Sequence, residues 1–478
     1  MLLPQAPEPF ATPDAEQAET QTGNPIALWL AGGVLIPAVL AYALASGNPF
    51  QVLVVIVGLL CLAGILARPF WGLIVFLALI YIRPEDVFPA LAGMRITLII
   101  SVVTLCGVWL QLFVKREKAV RTPFISMILG FALMTVLSTV AGGNPIDAFL
   151  DNSKLVILVL LVLNLVTTPQ RYTVFRNAVL VFTAYLAVSA IYLYFTGSFM
   201  ADSGTDRATG AGLFSNPNDL ACAIVPGIGL AILGFIQTRK LTRILYAGLI
   251  GLIVWCIMLT NSRGGMLGML VVSAGFIIAF QRNKLKAAVM AAMVAFLFLT
   301  VSHGRIVNFD NKEGSANSRI GFWGNAVMQL VRHPLTGVGY LQFPNVNDGM
   351  NAHNTFVICF AELGLPGYFF WIGCLYYCFC RRSRNGADTE RQEPDKRELL
   401  GARLALASYL VPAFFGNYTY IPITYVLMAL PVAQQIATSQ RAPHYTLTPD
   451  QKRIDIWRIL ALAVGSILLI KFIIPYIL

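Results

Sequence analysis

His353-Asn354, followed after nine residues by Gly364-Leu365-Pro366-Gly367, sets an imidazole where a long polar stretch gives way to an apolar one. An imidazole with an ordinary pKa of about 6.5 changes charge near neutral pH, and in this place it reads as the edge of an active site. Asn354 is a candidate substrate ligand beside it. The alternative for His353 is an interfacial histidine that caps or packs. Thr260-Asn261-Ser262-Arg263-Gly264-Gly265 holds a guanidinium beside paired glycines, which let a ligand or a neighbouring backbone come close. Otherwise Arg263 snorkels to lipid headgroups. Gly212-Leu213-Phe214-Ser215-Asn216-Pro217-Asn218-Asp219 precedes an apolar run, so Asn218 or Asp219 is a helix N-cap, a substrate ligand or both. Arg207, Arg305 and Arg319 flank these motifs. Guanidinium groups bind phosphate oxygens through paired N–H donors, and their convergence would make an anion site.

The elements that must position these groups are membrane helices. With 57% hydrophobic and 12% charged residues among 478, the chain reads as an all-α polytopic integral membrane protein. A helix needs about 20 residues to cross roughly 30 Å of hydrocarbon. Apolar runs begin near Ile26, Phe50, Phe70, Ile96, Pro123, Lys154, Ala178, Asp219, Arg243, Gly264, Leu285, Thr355, Leu400, Tyr420 and Ile456, which gives about 12–15 spans. The region from Phe50 to Ile82 reads as two crossings or one bent segment.

Sidedness follows from the basic connections, because short cytoplasmic loops retain Lys and Arg. Lys115 to Arg121, Arg171 with Arg176, Arg239 to Arg243, Arg282 to Lys286 and Arg381 to Arg397 are separated by even numbers of crossings. Placing all of them inside puts loops 83–95, 141–153, 197–218 and 303–353 outside. The net charge of +11 is largely this bias, not a nucleic-acid footprint. The chain then divides into a disordered cytoplasmic tail at 1–25, membrane helices at 26–302, one large external loop at 303–353, membrane helices at 354–438 with a cytoplasmic loop at 381–399, and a cytoplasmic segment with the last span at 439–478. The eight cysteines lie in apolar stretches, which argues for packing and against a disulfide framework.

Within the external loop, Ile320, Trp323, Val327, Leu330 and Val331 follow helical spacing, with Asn325, Gln329 and Arg332 on the other side. The pattern predicts an amphipathic helix from about Ser318 to Arg332, stopped by His333-Pro334, and a turn at Gly337-Val338-Gly339. If the helix after the loop is continuous, His353, Phe360, Gly364 and Gly367 share a face. Pro366 instead predicts a break at Gly364, leaving 354–363 as a short dipping helix. No Gly-x4-Gly-Lys-Ser/Thr loop, His-Glu-x-x-His helix, Gly-x-Ser-x-Gly elbow or outer Asp-x-Asp pair is present. No cofactor or metal is therefore expected, and the energy for any bond made outside must arrive in the substrate.

Ser262-Arg263-Gly264, the run from Arg319 through Trp323 to His333-Pro334-Leu335-Thr336-Gly337-Val338-Gly339, and His353-Asn354 with Gly364-Leu365-Pro366-Gly367 resemble, in order and placement, the bacterial O-antigen ligase and O-antigen polymerase superfamily. The resemblance covers roughly residues 205–380. It implies an inner-membrane glycosyltransferase with a periplasmic site, using an undecaprenyl-diphosphate-linked glycan donor. The acceptor hydroxyl would belong to a growing glycan, a lipid A core or a protein. It further implies that Arg263 and Arg319 neutralise the diphosphate and that His353 is a candidate general base for the acceptor hydroxyl, these three being catalytic; Arg207, Asn218, Arg305 and Asn354 are expected to bind substrate from their place in and beside the external motifs. A lipid-linked glycan transporter is the reading from another class. It fits less well, because the polar residues gather at one face and no internal repeat of interrupted helices is visible.

Overall fold

A computed structural model describes residues 49–88, 93, 95–116, 118–197, 207–301, 314–380, 393–438 and 447–477. The 1–25 tail, the run at Ile26, Arg305 and most of loop 381–399 lie outside the described residues. Among the described residues the chain is all-α, with no sheet. Two contact units divide it, Met1–Arg68 and Pro69–Leu478. The first contributes α1 (Pro49–Ala67). The second contains α2 (Pro69–Ile82), α3 (Pro84–Val87), α4 (Ile96–Lys115), α5 (Pro123–Ser138), α6 (Pro145–Leu165), α7 (Pro169–Thr196), α8 (Pro217–Gln237), α9 (Lys240–Thr260), α10 (Arg263–Phe280), α11 (Lys284–Val301), α12 (Gly314–Arg332), α13 (Thr355–Phe379), α14 (Glu393–Ala413), α15 (Pro422–Ala437) and α16 (Pro449–Ile477).

Every apolar run after Ile26 has its helix. The helices begin where proline and a capping side chain cooperate: Thr122, Asn144, Thr168 and Asn216 accept backbone N–H bonds, each followed by Pro at the first position. This rule corrects a boundary. Residues 145–153, expected in an outer loop, are the polar first turns of α6, because Asn144 Oδ1 accepts from Ile146 N at 2.9 Å and starts the helix well before the apolar run. Likewise residues 393–399, expected in a cytoplasmic loop, open α14.

Seven helices among the described residues, α4, α7, α8, α9, α10, α13 and α16, are long and apolar enough to cross a membrane, and α5 and α15 are shorter apolar helices. The chain is a multi-pass helical membrane protein. Burial divides the spans. In α8, 78% of the apolar window is buried and in α13 72%, against 17% in α16. α8 packs on α7, α9, α10 and α14, while α13 packs on α5, α12 and α16. Outer helices show large apolar side chains such as Trp109, Phe113, Trp457 and Phe472 on their exposed faces, as a lipid environment requires. Cys222, Cys256, Cys359, Cys374 and Cys378 are buried packing residues, and all eight cysteines are free.

Candidate active site

α12 runs to Arg332 as predicted, but its faces differ from the expectation. Ile320, Trp323, Ala326 and Leu330 form the buried stripe, Val331 is 75% exposed, and Gln329 is buried. The physical reason is packing on protein: α12 lies against α13 and α16, and its amide face is occupied too. Asn325 Nδ2 donates to Val346 O at 2.8 Å and Asn347 Oδ1 at 2.9 Å, and Gln329 Nε2 donates to Asn325 Oδ1 at 3.2 Å.

Trp323 sets the position of His353. Its indole Nε1 donates to Ala352 O at 2.8 Å, and its ring meets Phe414 edge-on at 5.5 Å between centroids. Arg319 stands one turn before Trp323 on the same helix face, so this anchor brings its charge beside His353. The imidazole is held below its ordinary pKa, first by burial and then by the Arg319 charge. It is therefore neutral at pH 7 and able to accept a proton. His353 itself is in left-handed backbone, φ +46°, outside the helix, because Asn354 Oδ1 caps α13 by accepting from Phe356 N at 2.9 Å and Val357 N at 3.2 Å. The shared helix face with Phe360 and Gly367 is thus overturned. Asn354 Nδ2 is buried without a partner.

The break at Gly364 is present, with φ +66° and ψ −171°. That conformation is essentially confined to glycine. A break frees backbone groups that need partners, and the segment after α12 supplies them. Val338 N donates to Ala361 O at 2.9 Å, Gly339 N to Glu362 O at 3.1 Å, and Leu365 N to Pro334 O at 2.8 Å. A methyl on Gly364 would lie 2.7 Å from Pro334 O. The Pro334 to Gly339 turn and the Gly364 to Gly367 motif are therefore two halves of one backbone clasp.

The second and third motifs meet directly. Arg207 Nε donates to Thr260 O at 2.7 Å, and its Nη2 donates to Asn218 Oδ1 at 3.2 Å and Asn261 O at 3.4 Å. Arg207 and Asn218 thereby hold the turn that precedes Arg263. The helix cap of α8 is Asn216, not Asn218 or Asp219; Pro217 at the first helical position was the available signal. Ser262 caps α10, placing Arg263 in its first turn, half-buried. Gly264 and Gly265 admit neighbouring protein: a Cβ on Gly264 would lie 3.1 Å from Pro412 Cα, and one on Gly265 2.7 Å from Ala221 Cβ.

Sequence reasoning missed the segment that joins the first and third motifs, the connection between α14 and α15. Tyr418 Oη donates to Asp219 Oδ1 at 2.7 Å, and Tyr418 N donates to Thr355 Oγ1 at 3.0 Å. Thr355 Oγ1 donates to Gly416 O at 2.8 Å, and Thr419 Oγ1 to Thr355 O at 2.8 Å. Burial pushes the Tyr418 phenol well above its ordinary pKa, so it stays a donor. Two residues on, Tyr420 Oη donates to Glu362 Oε2 at 2.9 Å, while Glu362 Oε1 accepts from Phe343 N at 3.3 Å. Glu362 is fully buried and also escaped the sequence reading. The run Phe414-Phe415-Gly416-Asn417-Tyr418-Thr419-Tyr420, aromatic and polar between two spans, was the visible clue.

Residues 248–372 match the family model described as O-antigen ligase. This region is similar to O-antigen ligases. The O-antigen-ligase-like region covers about a quarter of the chain and contains Arg263, Arg319, His353, Asn354 and the Gly364 break, but neither Arg207, Asn218 nor the 414–421 connection. No curated protein matches the chain. With the membrane-spanning architecture, the match supports a membrane enzyme that handles glycans.

Proposed function

We propose that the chain transfers an oligo- or polysaccharide from undecaprenyl diphosphate to an acceptor hydroxyl on the periplasmic face, as an O-antigen ligase or polymerase does. The observation that carries this reading is a chain of hydrogen bonds beside Arg319 and His353: the 414–421 connection ties the start of α8 to the start of α13, and Arg207 ties the start of α8 to the turn before Arg263. In the reaction, His353 takes the acceptor O–H proton as that oxygen attacks the anomeric carbon. The bond from the sugar to the diphosphate breaks, and undecaprenyl diphosphate leaves with the bonding electrons. Arg263 and Arg319 neutralise the charge that grows on the diphosphate. Arg207 and Asn218 act by holding the Arg263 turn, and Asn354 by capping the helix that follows the base. Arg305 is assigned to diphosphate binding from its place in the sequence.

Arg319 has a second consequence in this scheme. It lowers the His353 pKa, and a bound diphosphate would offset its charge, so the imidazole becomes a stronger base when donor is present. The test is transfer by purified protein from a lipid-linked oligosaccharide without any ion gradient. Transfer in wild type, loss in His353→Ala, and poor rescue by Arg263→Lys, whose point charge lacks the guanidinium fork, are the expected results. Substrate accumulation in vesicles with no sugar transfer would replace the enzyme by a transporter.

A further inference from the structure

Two helices measure how deep the Gly364 clasp lies. α13 and α16 run antiparallel, and three contacts pair them: Tyr376 Oη donates to Asp455 Oδ1 at 2.7 Å, a methyl on Gly373 would lie 3.6 Å from Ile459 Cδ1, and the Tyr368 and Ser466 hydroxyls are 2.8 Å apart. Continuing this pairing brings Gly364 level with about Ile470. The first turns of α16 carry Lys452, Arg453, Asp455 and Arg458, whereas from Ile459 to Ile477 Lys471 alone is charged. Ile470 stands about 16 Å past Ile459 at 1.5 Å per residue, in hydrocarbon roughly 30 Å thick. α13 gives an independent measure. From Leu365 to Phe379 it is about 22 Å long, too short to cross alone. By the two measures, about 8–14 Å of hydrocarbon remains beyond the break.

Irregular backbone at such a depth persists only where its polar groups are paired. In this turn they are: the amides of Val338, Gly339 and Leu365 donate to Ala361 O, Glu362 O and Pro334 O, and Gly337 N donates to His333 O. The side chains left open around it are mainly apolar. Leu335 is 69% exposed, and Val331 and Met328, one and two turns back along α12, are exposed as well. Their spacing of four and three puts them on one stripe. α12 packs on both α13 and α16, and at the level of the clasp α16 exposes Leu468 and Leu469 and α13 exposes Leu365. The stripe therefore continues the apolar face that α16 turns to lipid. Arg332 and His333 are exposed at its edge. Side chains on a helix lean toward its N-terminus, so Arg332 leans away from the break, and its long stem carries the guanidinium toward the headgroups.

We propose that the chain re-enters the membrane here: the last turns of α12 and the 334–339 turn lie within the leaflet on the His353 side, with Met328, Val331 and Leu335 against lipid acyl chains. One consequence rests on the proposed function. Nine helical residues carry His353 at most about 14 Å from the break, so the imidazole does not rise above the headgroup layer, the level at which a lipid-linked diphosphate presents its phosphates.

The experiment places one fluorescent amino acid at Val331, Leu335, Leu469 or Asp348 of the full chain in nanodiscs. Quenching by phospholipid with a nitroxide on its acyl chain is compared with quenching by aqueous iodide. Leu469, on the exposed face of α16, and Asp348, exposed in the polar 343–350 loop, set the two limits. The expected result is a loss of emission to the nitroxide at Val331 and Leu335 as large as at Leu469, with iodide acting only at Asp348. Quenching of Val331 and Leu335 by iodide would leave the stripe in water and overturn the assignment. Resistance to both quenchers would overturn it too, a second copy covering the stripe if the particle mass shows a dimer. Each labelled protein is checked by its thermal midpoint, and Met328 replaces any stripe position whose label lowers it. The readout needs no transfer activity, so it can fail while the proposed reaction stands, and the reverse.

Discussion

The two ends of the bundle differ in how far their buried polar groups satisfy one another. At the end bearing His353, the polar side chains largely consume one another: Tyr418 with Asp219, Thr355 with Gly416 and Tyr418, Tyr420 with Glu362. What is left over there among the described residues is one donor, Asn354 Nδ2, and two acceptors, Asn152 Oδ1 and Asn417 Oδ1. At the basic end, Glu398 Oε2, Gln434 Oε1 and Tyr172 Oη are buried without partners. A network that satisfies itself fixes geometry, whereas buried polar atoms without partners leave it weaker. The difference separates an end where hydrogen bonds between distant segments hold the surroundings of His353 in place from one where polar side chains are less completely matched.

The largest expected effect breaks the His353 end at its proposed chemistry. His353→Ala should lower transfer by about 10²- to 10⁴-fold, the usual range for a lost general base, with unchanged protein abundance. Near-normal turnover would remove His353 from the reaction. Next comes the clasp. Gly364→Ala forces a side chain into a backbone conformation worth roughly 1–3 kcal/mol of strain and into contact with Pro334 O. The thermal midpoint should fall and activity with it; an unchanged midpoint would mean the break relaxes at no cost.

Tyr418→Phe removes one donor and strands Asp219, at about 1–3 kcal/mol. If the junction is what aligns the site, turnover should fall more than donor binding does, and a loss of stability with normal turnover in the surviving fraction would reduce it to scaffolding. Arg319→Gln sharpens the comparison by pH. The cation depresses the His353 pKa, so its removal raises that pKa, and the acid limb of the rate profile should move to higher pH. An unmoved limb would show that another group titrates there. The smallest effect is expected at the opposite end, where Tyr172→Phe should leave transfer unchanged.

Much of the architecture was legible because it is local. Pro366 announced the Gly364 break, His333-Pro334 the end of α12, and each apolar run after Ile26 its helix. The candidate residues fell within the regions that the structure connects, apart from Arg305, which lies outside the described residues. The misreadings have a common cause. Val331 and Gln329 were assigned faces from helical spacing alone, which does not register that α12 meets α13, α16 and the 343–350 loop. Tyr418 joins residues 63 and 199 positions away, and nothing in local spacing encodes such pairs. Asn144 and Asn216 were within reach of a stricter rule, since each stands before the proline that opens its helix.

The Gly364 break also has a mechanical meaning. Thr355 to Leu363 is a rod of about 14 Å at 1.5 Å per residue, pivoting on Gly364 with His353 at its far end. A swing of roughly 10° at the pivot would carry the imidazole about 2 Å, enough to make or lose a hydrogen bond. The bonds from Val338 and Gly339 grip the rod beside its fulcrum, where they resist bending with little leverage, while Trp323 and Tyr418 hold its tip. The stiffness of the His353 position therefore resides mainly in one indole N–H and one backbone amide, that of Tyr418, far from the pivot.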